Sequence, residues 1–485
     1  MIRHRNEVAA SLSFLTLLLT CISALARPEI SNTPAGRAFS DWLSSFNSAD
    51  PKQIASFKQK YARKGEVAET LDFRAYTGGL ELLQLERSTP NNVLALMREV
   101  ESERGMYLEV TVKGDGRGDN LIMEIRPASL PPEFAPRRMA MADALAALEE
   151  RATRKAAADR FSGALLVAKG EQVLLEQAWG SANRATSRAA TAETQFRLGS
   201  MNKMFTAVAI LQLVDSGKLS LQRTVGQYLP DYPNRDVAAK VTLHHLLTHT
   251  GGMGDIFGPE FDAQRLRLKE HADYVALFGK RGPEYEPGSR DGYSNYGYVL
   301  LGRLIEAVSG LSYYDYVQQH IYAKAGMQST ASLPESVDVP ARSQGYTKKD
   351  ARWMSNEHTL PYRGMAAGGG YSTVGDLLRF ARALEAGKLV SKRLLAAATS
   401  PQNLGGGFGY GFALQGEGAT RFYGGVGGAP GMNAELRIYP ELGYVLVGLS
   451  NFDPPAAETL VEFFSTRMPI ERTSSQTRVE QARRP

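Results

Sequence analysis

A serine and a lysine three residues apart are the first side chains in this sequence whose types and spacing can do chemistry. Ser200 and Lys203 lie in the stretch QFRLGSMNKMFTAVAILQLVDSGKLSL. A serine hydroxyl becomes a nucleophile when a neighbouring base takes its proton, and lysine becomes that base when burial lowers its pKa towards neutrality. Ser200 is the only serine in the 485-residue chain with a lysine at this spacing. The pair indicates acyl transfer, and the alternative is a capping serine followed by a solvated lysine.

The residues after Ser200 predict the helix that buries the lysine. Positions 204–214 are apolar almost all round, which is typical of a helix buried on every side. Gly199 offers a permissive backbone corner before this helix, and Gly217 a stop after it. Ser200 and Lys203 then share one face of the first turn, where the N–H groups and the helix dipole favour developing negative charge.

A second pair of candidates, Tyr293 and Asn295, lies on a short loop before a helix predicted from Tyr296. A tyrosine hydroxyl can pass a proton between nucleophile and leaving group, and an asparagine amide can contact both a substrate amide and a lysine. The alternative for Tyr293 is an aromatic ring packed over a loop.

A third candidate is the glycine-rich run Gly424-Gly425-Val426-Gly427-Gly428, which precedes two predicted strands. A strand edge without side chains lets a substrate lie along the backbone and exposes N–H groups to an oxyanion. The alternative is a β-bulge in an ordinary strand.

Two histidines four residues apart, His245 and His249, match the spacing of a zinc site on one helix face. His245 is not followed by the glutamate of a metalloprotease, and the sequence offers no third ligand nearby. We therefore predict no metal site and interpret His249 as a packed histidine at a helix end, before a turn at Gly251-Gly252.

The remaining elements predict two domains. Residues 28–130 read as a small α+β unit, with helices over 38–46, 51–61 and 91–102 and strands over 71–76, 80–85, 106–113 and 121–125. This unit faintly resembles the cone-shaped cyclase-like domains and carries no catalytic cluster. A proline-rich linker, 131–138, leads to a larger domain over 139–470, where a helix over 139–160 precedes a β-hairpin over 164–178. That order places an antiparallel sheet beside the Ser200 helix, so the fold class is α+β.

Composition and charge limit the classes of binding partner and the cellular compartment that we expect for this protein. The net charge of +5 includes no block of lysine or arginine, so we predict no nucleic-acid partner. The single cysteine, Cys21, excludes an internal disulfide. Residues 1–26 read as a secretory signal with a small-x-small cleavage site, and 471–485 as a disordered tail. We expect a secreted, periplasmic protein without a stable membrane span after cleavage, and an uncleaved anchor is the alternative.

Together, Ser200-Met201-Asn202-Lys203, Tyr293-Ser294-Asn295 and the glycine-rich strand resemble the class C β-lactamase superfamily, which also holds penicillin-binding DD-peptidases and esterases. The segments LLTHTGGM, EPGSRDGYSNYGY and GGAPGMNAELRIYP resemble sequence motifs typical of this superfamily, and the resemblance spans residues 140–468. The resemblance implies a β-lactamase/transpeptidase-like fold. It also implies an acylated Ser200, Lys203 as base, Tyr293 as second proton carrier and Asn295 as substrate contact. Substrate would also bind along Gly427 and Gly428, with the N–H groups of Ser200 and Gly428 forming the oxyanion hole.

One position departs from the family pattern. Where the family carries lysine or histidine followed by any residue and glycine, this chain has Gly425-Val426-Gly427. Without that cation, recognition of a β-lactam or peptide carboxylate is in doubt. We therefore expect an exported serine hydrolase without a cofactor that acts on a small-molecule ester, amide or peptide, as an esterase, a D-amino-acid peptidase or a β-lactamase-like enzyme. Among these substrates we expect a preference for small, uncharged esters or amides. The alternative is a catalytically silent binding or scaffold protein, and the oligomeric state stays open.

Overall fold

The computed structural model describes residues 28–349 and 352–471. The predicted signal segment and residues 472–485 of the predicted tail lie outside this range. The chain divides into two compact units, the first formed by residues 28–74, 79–100 and 104–131, the second by 75–78, 101–103 and the residues from 132 onwards. None of the helices in the described ranges combines the length and apolar character that crossing a membrane requires.

The first unit is an antiparallel sheet whose four strands are paired in chain order, with helices packed on it. Its core contains Phe39 and Phe46 of the first helix together with Leu108 and Val110 of the third strand. The elements that lie wholly or mostly in this unit are α1 (Pro34–Ser48), α2 (Pro51–Lys60), α3 (Val67–Thr77), β1 (Leu80–Ser88), β2 (Asn92–Glu99), β3 (Gly105–Val112) and β4 (Leu121–Ala128).

Two of the predictions for this unit are wrong. Residues 71–76, predicted as a strand, lie within helix α3, and residues 91–102, predicted as a helix, form strand β2 and the turn after it. Strand β2 pairs with β1 on one side and β3 on the other. Its apolar run Val93 to Met97 is buried, so pairing and burial on a central strand override the local helical pattern.

The second unit is built on a six-stranded antiparallel sheet. The strands of the second unit are β5 (Gly163–Lys169), β6 (Gln172–Trp179), β7 (Ser181–Asn183), β8 (Arg188–Ala189), β9 (Phe196–Arg197), β10 (Tyr346–Lys349), β11 (Arg352–Ser355), β12 (Tyr371–Ser372), β13 (Ala413–Gln415), β14 (Phe422–Ala429), β15 (Met432–Tyr439) and β16 (Tyr444–Ser450). The six strands of the main sheet lie in the order β13-β14-β15-β16-β5-β6. The predicted α+β class, hairpin and antiparallel sheet are confirmed.

Helices cover both faces of this sheet. The α-helices of the second unit are α4 (Met141–Ala157), α5 (Lys203–Asp215), α6 (Arg235–Lys240), α7 (Leu243–Leu247), α8 (Pro259–Gln264), α9 (His271–Phe278), α10 (Asn295–Ser309), α11 (Tyr313–Val317), α12 (Ala323–Ala325), α13 (Val374–Glu385), α14 (Lys392–Ala398) and α15 (Glu458–Ser465).

The two faces of the sheet belong to two hydrophobic cores. Along β5, Leu165 and Val167 pack with α4 and α15, whereas Ala164 and Leu166 point into the larger core around α5. This alternation is the period of two expected of a strand that is buried on both faces. Helix α5 is buried from Lys203 to Leu211, as its almost entirely apolar sequence predicts.

Candidate active site

Ser200 lies in a short 3-10 turn, Gly199–Asn202, that leads directly into α5. Gly199 has a φ of +54°, a left-handed conformation that glycine adopts without a steric penalty, so the predicted backbone corner is confirmed. The Gly369 N–H donates to the Gly199 carbonyl (3.0 Å), which ties the turn to the segment before β12. Together these constraints leave the serine side chain half-buried at the head of the central helix.

Lys203, the first residue of α5, is only 3% exposed. Its Nζ lies 3.3 Å from Ser200 Oγ and 2.8 Å from Asn295 Oδ1, and it also donates to the carbonyl of Ala367. Burial lowers the pKa of Lys203 from 10.5 to about 7, although the negative charge of Asp255 acts in the opposite direction. A substantial fraction of the lysine is therefore neutral at neutral pH, as a general base must be.

Tyr293 brings a phenol to the same serine. Its hydroxyl donates a 2.8 Å hydrogen bond to Ser200 Oγ, and its ring lies 4.7 Å from Lys203 Nζ. The residue as a whole is 54% exposed, whereas its hydroxyl end lies against Ser200 Oγ. Burial of that end raises the pKa of the phenol, although the hydrogen bond with Ser200 partly offsets it. Tyr293 is therefore a proton donor at neutral pH.

Asn295, the first residue of α10, connects the lysine to a carboxylate. Its Oδ1 accepts from Lys203, and its Nδ2 lies 3.0 and 3.1 Å from the two carboxylate oxygens of Asp255. The preceding Ser294 caps α10 by accepting from the Gly297 N–H. This cap fixes the loop so that Tyr293 and Asn295 both face the Ser200 turn.

Sequence reasoning missed Asp255, because nothing in its local pattern marks it as part of a site. Asp255 also accepts from the N–H groups of Ile256 and Phe257 (2.6 and 3.3 Å), so it stabilises the loop that follows. The only signal was its position three residues after the Gly251-Gly252 pair in THTGGMGD.

His249 is buried, as predicted, but it packs beneath the site rather than in a remote core. Its ring lies 4.5 Å from the ring of Tyr293 and 5.0 Å from that of Tyr298, and its Nδ1 accepts from the Ser294 N–H (3.1 Å). Burial, assisted by the charge of Lys203, lowers the pKa of His249 to about 3, so the ring is neutral. His249 therefore supports the loop that carries Tyr293.

The structure does not join His245 and His249 into a ligand pair. His245 Nδ1 accepts from the Thr242 N–H at the start of α7, whereas His249 contacts the Tyr293 loop. Within residues 28–349 and 352–471, no group of three or more histidine, cysteine, aspartate or glutamate side chains is arranged to hold a metal ion.

The glycine-rich run forms β14 and lies against the Ser200 turn. A Cβ on Gly427 would lie 1.7 Å from the Leu198 carbonyl oxygen, and a Cβ on Gly199 would lie 3.0 Å from the Gly428 amide nitrogen. Only residues without side chains allow this approach. Asn433, opposite Gly428 in β15, donates to the Gly427 carbonyl (3.2 Å) and helps to hold the strand in place.

Gly425 lies on β14 at the position where the family pattern has its cation. A Cβ there would lie 2.9 Å from Met204 Sδ, so the thioether of α5 occupies the space of the missing side chain.

A cleft of about 630 Å³ opens beside Ser200. Residues from three parts of the second unit line it: the Ser200 turn with Asn295, the α8 segment, and the end of β14 with the loops facing it. The lining includes Ser200, Asn295, Phe257, Phe261, Arg265 and Gly428.

A hydroxyl that contacts both a buried amine and a protonated phenol, beside a cleft and a bare strand edge, is an arrangement suited to acyl transfer. The fold and this cluster define the class of serine acyl-transfer enzymes. The chain belongs to the Beta-lactamase family, whose family model matches residues 145–464. It is a β-lactamase-related serine hydrolase, and both the predicted family resemblance and the predicted fold are confirmed.

Individual relatives agree with this assignment. The chain is 30% identical over 334 residues to penicillin-binding protein 4 of Amycolatopsis lactamdurans, covering 63% of this chain and 87% of that protein. A penicillin-binding protein from Bacillus halodurans superposes with a TM-score of 0.59 at 29% identity, covering 63% of this chain and 97% of the other. A D-stereospecific amidohydrolase from Streptomyces sp. superposes with a TM-score of 0.56 at 26% identity, covering 65% and 96%.

Proposed function

We propose that this protein is an exported serine hydrolase that forms an acyl-enzyme on Ser200 and acts on small esters, amides or peptides. The observation that carries the proposal is the shared contact at Ser200 Oγ, which lies 3.3 Å from Lys203 Nζ and 2.8 Å from the Tyr293 hydroxyl. The name of the Streptomyces relative, a D-stereospecific amidohydrolase, supports amides as one substrate class.

In the first half-reaction, neutral Lys203 takes the proton of Ser200 as Oγ attacks the carbonyl carbon. Tyr293 gives its proton to the leaving oxygen or nitrogen, which leaves a phenolate beside a lysine ammonium. In the second half-reaction, the phenolate takes a proton from water, and the hydroxide attacks the ester bond to Ser200. The departing Oγ recovers its proton from Lys203, so every group returns to its starting state.

The negative oxygen of each tetrahedral intermediate needs donors, and we assign this role to the N–H groups of Ser200 and Gly428. Both residues line the cleft, and the Gly428 nitrogen lies close to Gly199 because Gly199 lacks a Cβ. Substrate would lie along Gly427 and Gly428, with Asn295 contacting its amide.

The assignment of the nucleophile is tested by covalent labelling of the full mature chain. A fluorophosphonate probe, which phosphonylates serine with loss of fluoride, or p-nitrophenyl acetate, which acylates it, should label the wild type and the exposed-serine control Ser187→Ala equally, and should leave Ser200→Ala unlabelled. Absence of labelling of the wild type by any acylating probe would instead favour the catalytically silent scaffold.

The filled space at Gly425 supports a preference for substrates whose leaving group carries no carboxylate. Uncharged chromogenic esters should therefore be turned over better than a chromogenic cephalosporin, and equal or better turnover of the cephalosporin would refute this preference.

Export is part of the same proposal. N-terminal sequencing of the secreted or periplasmic protein should find a chain that begins at Arg27.

A further inference from the structure

The cleft beside Ser200 contains a cationic side chain that has no partner. Arg265 lies at the end of α8, is half-buried and lines the cleft. Within the described part of the chain, its guanidinium forms no ion pair, hydrogen bond or ring contact, whereas its carbonyl accepts from the Tyr362 N–H (3.1 Å). That bond connects the end of α8 to the residue that directly follows the lining residues 358–361. A half-buried guanidinium without a partner is suited to an anionic ligand.

The position of the cleft indicates which part of a substrate it holds. Asn295 and the strand residues from Gly428 onwards line the cleft. Tyr293 donates a hydrogen bond to Ser200 but is not one of the residues that line the cleft. In the proposed mechanism Tyr293 protonates the leaving group, so the leaving group departs on the phenol side. The cleft is left for the acyl group, which stays attached to Ser200 through both half-reactions.

This cleft is distinct from the place of the missing family cation. Gly425 is three residues before Gly428 on β14, and three strand residues span about 10 Å. The cleft continues in the opposite direction, through Ala429, Pro430 and Met432. A charge on the acyl group and a charge on the leaving group therefore meet different surroundings.

Much of the cleft lining besides Ser200 and Arg265 is apolar. Phe257 and Phe261 meet edge to face with centroids 5.1 Å apart, and Phe257 is 59% exposed although its ring is large and hydrophobic. Leu360, Pro361 and Met365 also line the cleft. An exposed apolar surface beside a nucleophile is suited to an alkyl or aryl chain.

We infer that the acyl pocket selects substrates whose apolar acyl chain ends in a carboxylate, and that Arg265 binds this carboxylate while Phe257 and Phe261 pack on the chain. The inference rests on the proposed function and names the acyl group of that same site. Asp262, three residues before Arg265, also lines the cleft and is exposed. It forms no ion pair with Arg265, and its charge opposes the bound carboxylate.

Two esters with the same leaving group test the inference. p-Nitrophenyl hexanoate and mono-p-nitrophenyl adipate both have six-carbon acyl chains, and only the adipate ester ends in a carboxylate. For the wild-type full chain, we expect a higher kcat/KM with the adipate ester. Arg265→Gln should lower kcat/KM about 10- to 100-fold for the adipate ester, through a higher KM, and leave the hexanoate ester nearly unchanged. Arg265→Lys should restore part of the preference.

A second variant should change kcat/KM for the adipate ester in the opposite direction. Asp262→Asn should raise kcat/KM for the adipate ester, because it removes the opposing charge, and should leave the hexanoate ester unchanged. The hexanoate ester also reports whether each variant is folded and active. Equal use of the two esters by the wild type, or an equal effect of Arg265→Gln on both, would overturn the inference. If neither ester shows turnover that depends on Ser200, the proposed function itself fails.

Discussion

The thioether of Met204 occupies the space into which a side chain at position 425 would extend, since a Cβ on Gly425 would lie 2.9 Å from Met204 Sδ. Met204 directly follows Lys203, so the residue that fills this space belongs to the same helical turn as the proposed base. The space that the cationic side chain of the family would occupy is thus filled by the side chain of Met204.

Restoring a cation at this position should therefore destabilise the protein unless Met204 is also shortened. We expect Gly425→His to lower the free energy of unfolding by about 1–3 kcal/mol, because the core is already filled. The Met204→Ala/Gly425→His double variant should lose less than the sum of the two single losses, by about 0.5 kcal/mol or more. Urea denaturation measures all four proteins, and strictly additive losses would contradict this packing relationship.

Removal of the proposed base should slow acylation. Lys203→Ala should lower the rate of the p-nitrophenol burst by about 10²- to 10⁴-fold, which is typical of a lost general base. Stopped-flow absorbance measures the burst, and thermal unfolding checks that the variant is folded. Near-normal turnover in a folded Lys203→Ala protein would remove Lys203 from the role of base.

The pKa of Lys203 predicts the pH profile of the free enzyme. Because burial lowers this pKa to about 7, the fraction of neutral amine, and with it kcat/KM for an uncharged ester, should rise with pH up to about 7 and then level off. Rates measured from pH 5 to 9 in buffers of constant ionic strength test this. A profile that is flat across pH 7 would be inconsistent with a titrating lysine base.

Asp255 sets part of that pKa. Its negative charge stabilises the Lys203 ammonium, so Asp255→Asn should lower the lysine pKa and move the acid limb of kcat/KM to lower pH. Asp262→Asn removes a carboxylate from the nearby α8 segment and serves as the matched control, for which we expect no shift with an uncharged ester. An unchanged or more alkaline limb in Asp255→Asn would contradict the electrostatic role of Asp255.

The same buried amine should make stability depend on pH. The pKa of Lys203 falls from 10.5 to about 7 on folding, so between these values the unfolded chain binds more protons and stability rises with pH. Below pH 7 the folded protein carries the full cost of a buried ammonium. Lys203→Met should therefore stabilise the protein most at pH 6 and progressively less towards pH 10, as measured by urea denaturation. A constant difference across this range would contradict the depressed pKa.

The local sequence pattern was sufficient to predict the structure where the candidate catalytic residues lie at the start of a strongly apolar helix. The Ser200–Lys203 spacing and the apolar run after it predicted a buried helix headed by a serine and a lysine, and the structure has both features. The same reasoning failed at residues 71–76 and 91–102, where helix and strand were exchanged. At residues 91–102, pairing of β2 between two neighbours outweighs the local preference of its residues.

The contacts within the site required the tertiary structure. Tyr293 reaches Ser200 across 93 positions of sequence, and Asp255 reaches Asn295 across 40. His249 matched a short motif, yet its sequence could not reveal that its ring would lie beneath that of Tyr293. Arg265 and the two phenylalanines of α8 and its preceding loop carry no motif and become notable only because they line the cleft.

The sequence by itself determined the family, the antiparallel α+β fold and the types of residue available for acyl transfer, because spacing, apolar periodicity and glycine runs are local properties. The tertiary structure decided which of these residues meet, how far burial lowers the pKa of Lys203, and what occupies the space beside Gly425. These depend on distances and desolvation between segments far apart in the chain, which no local pattern encodes.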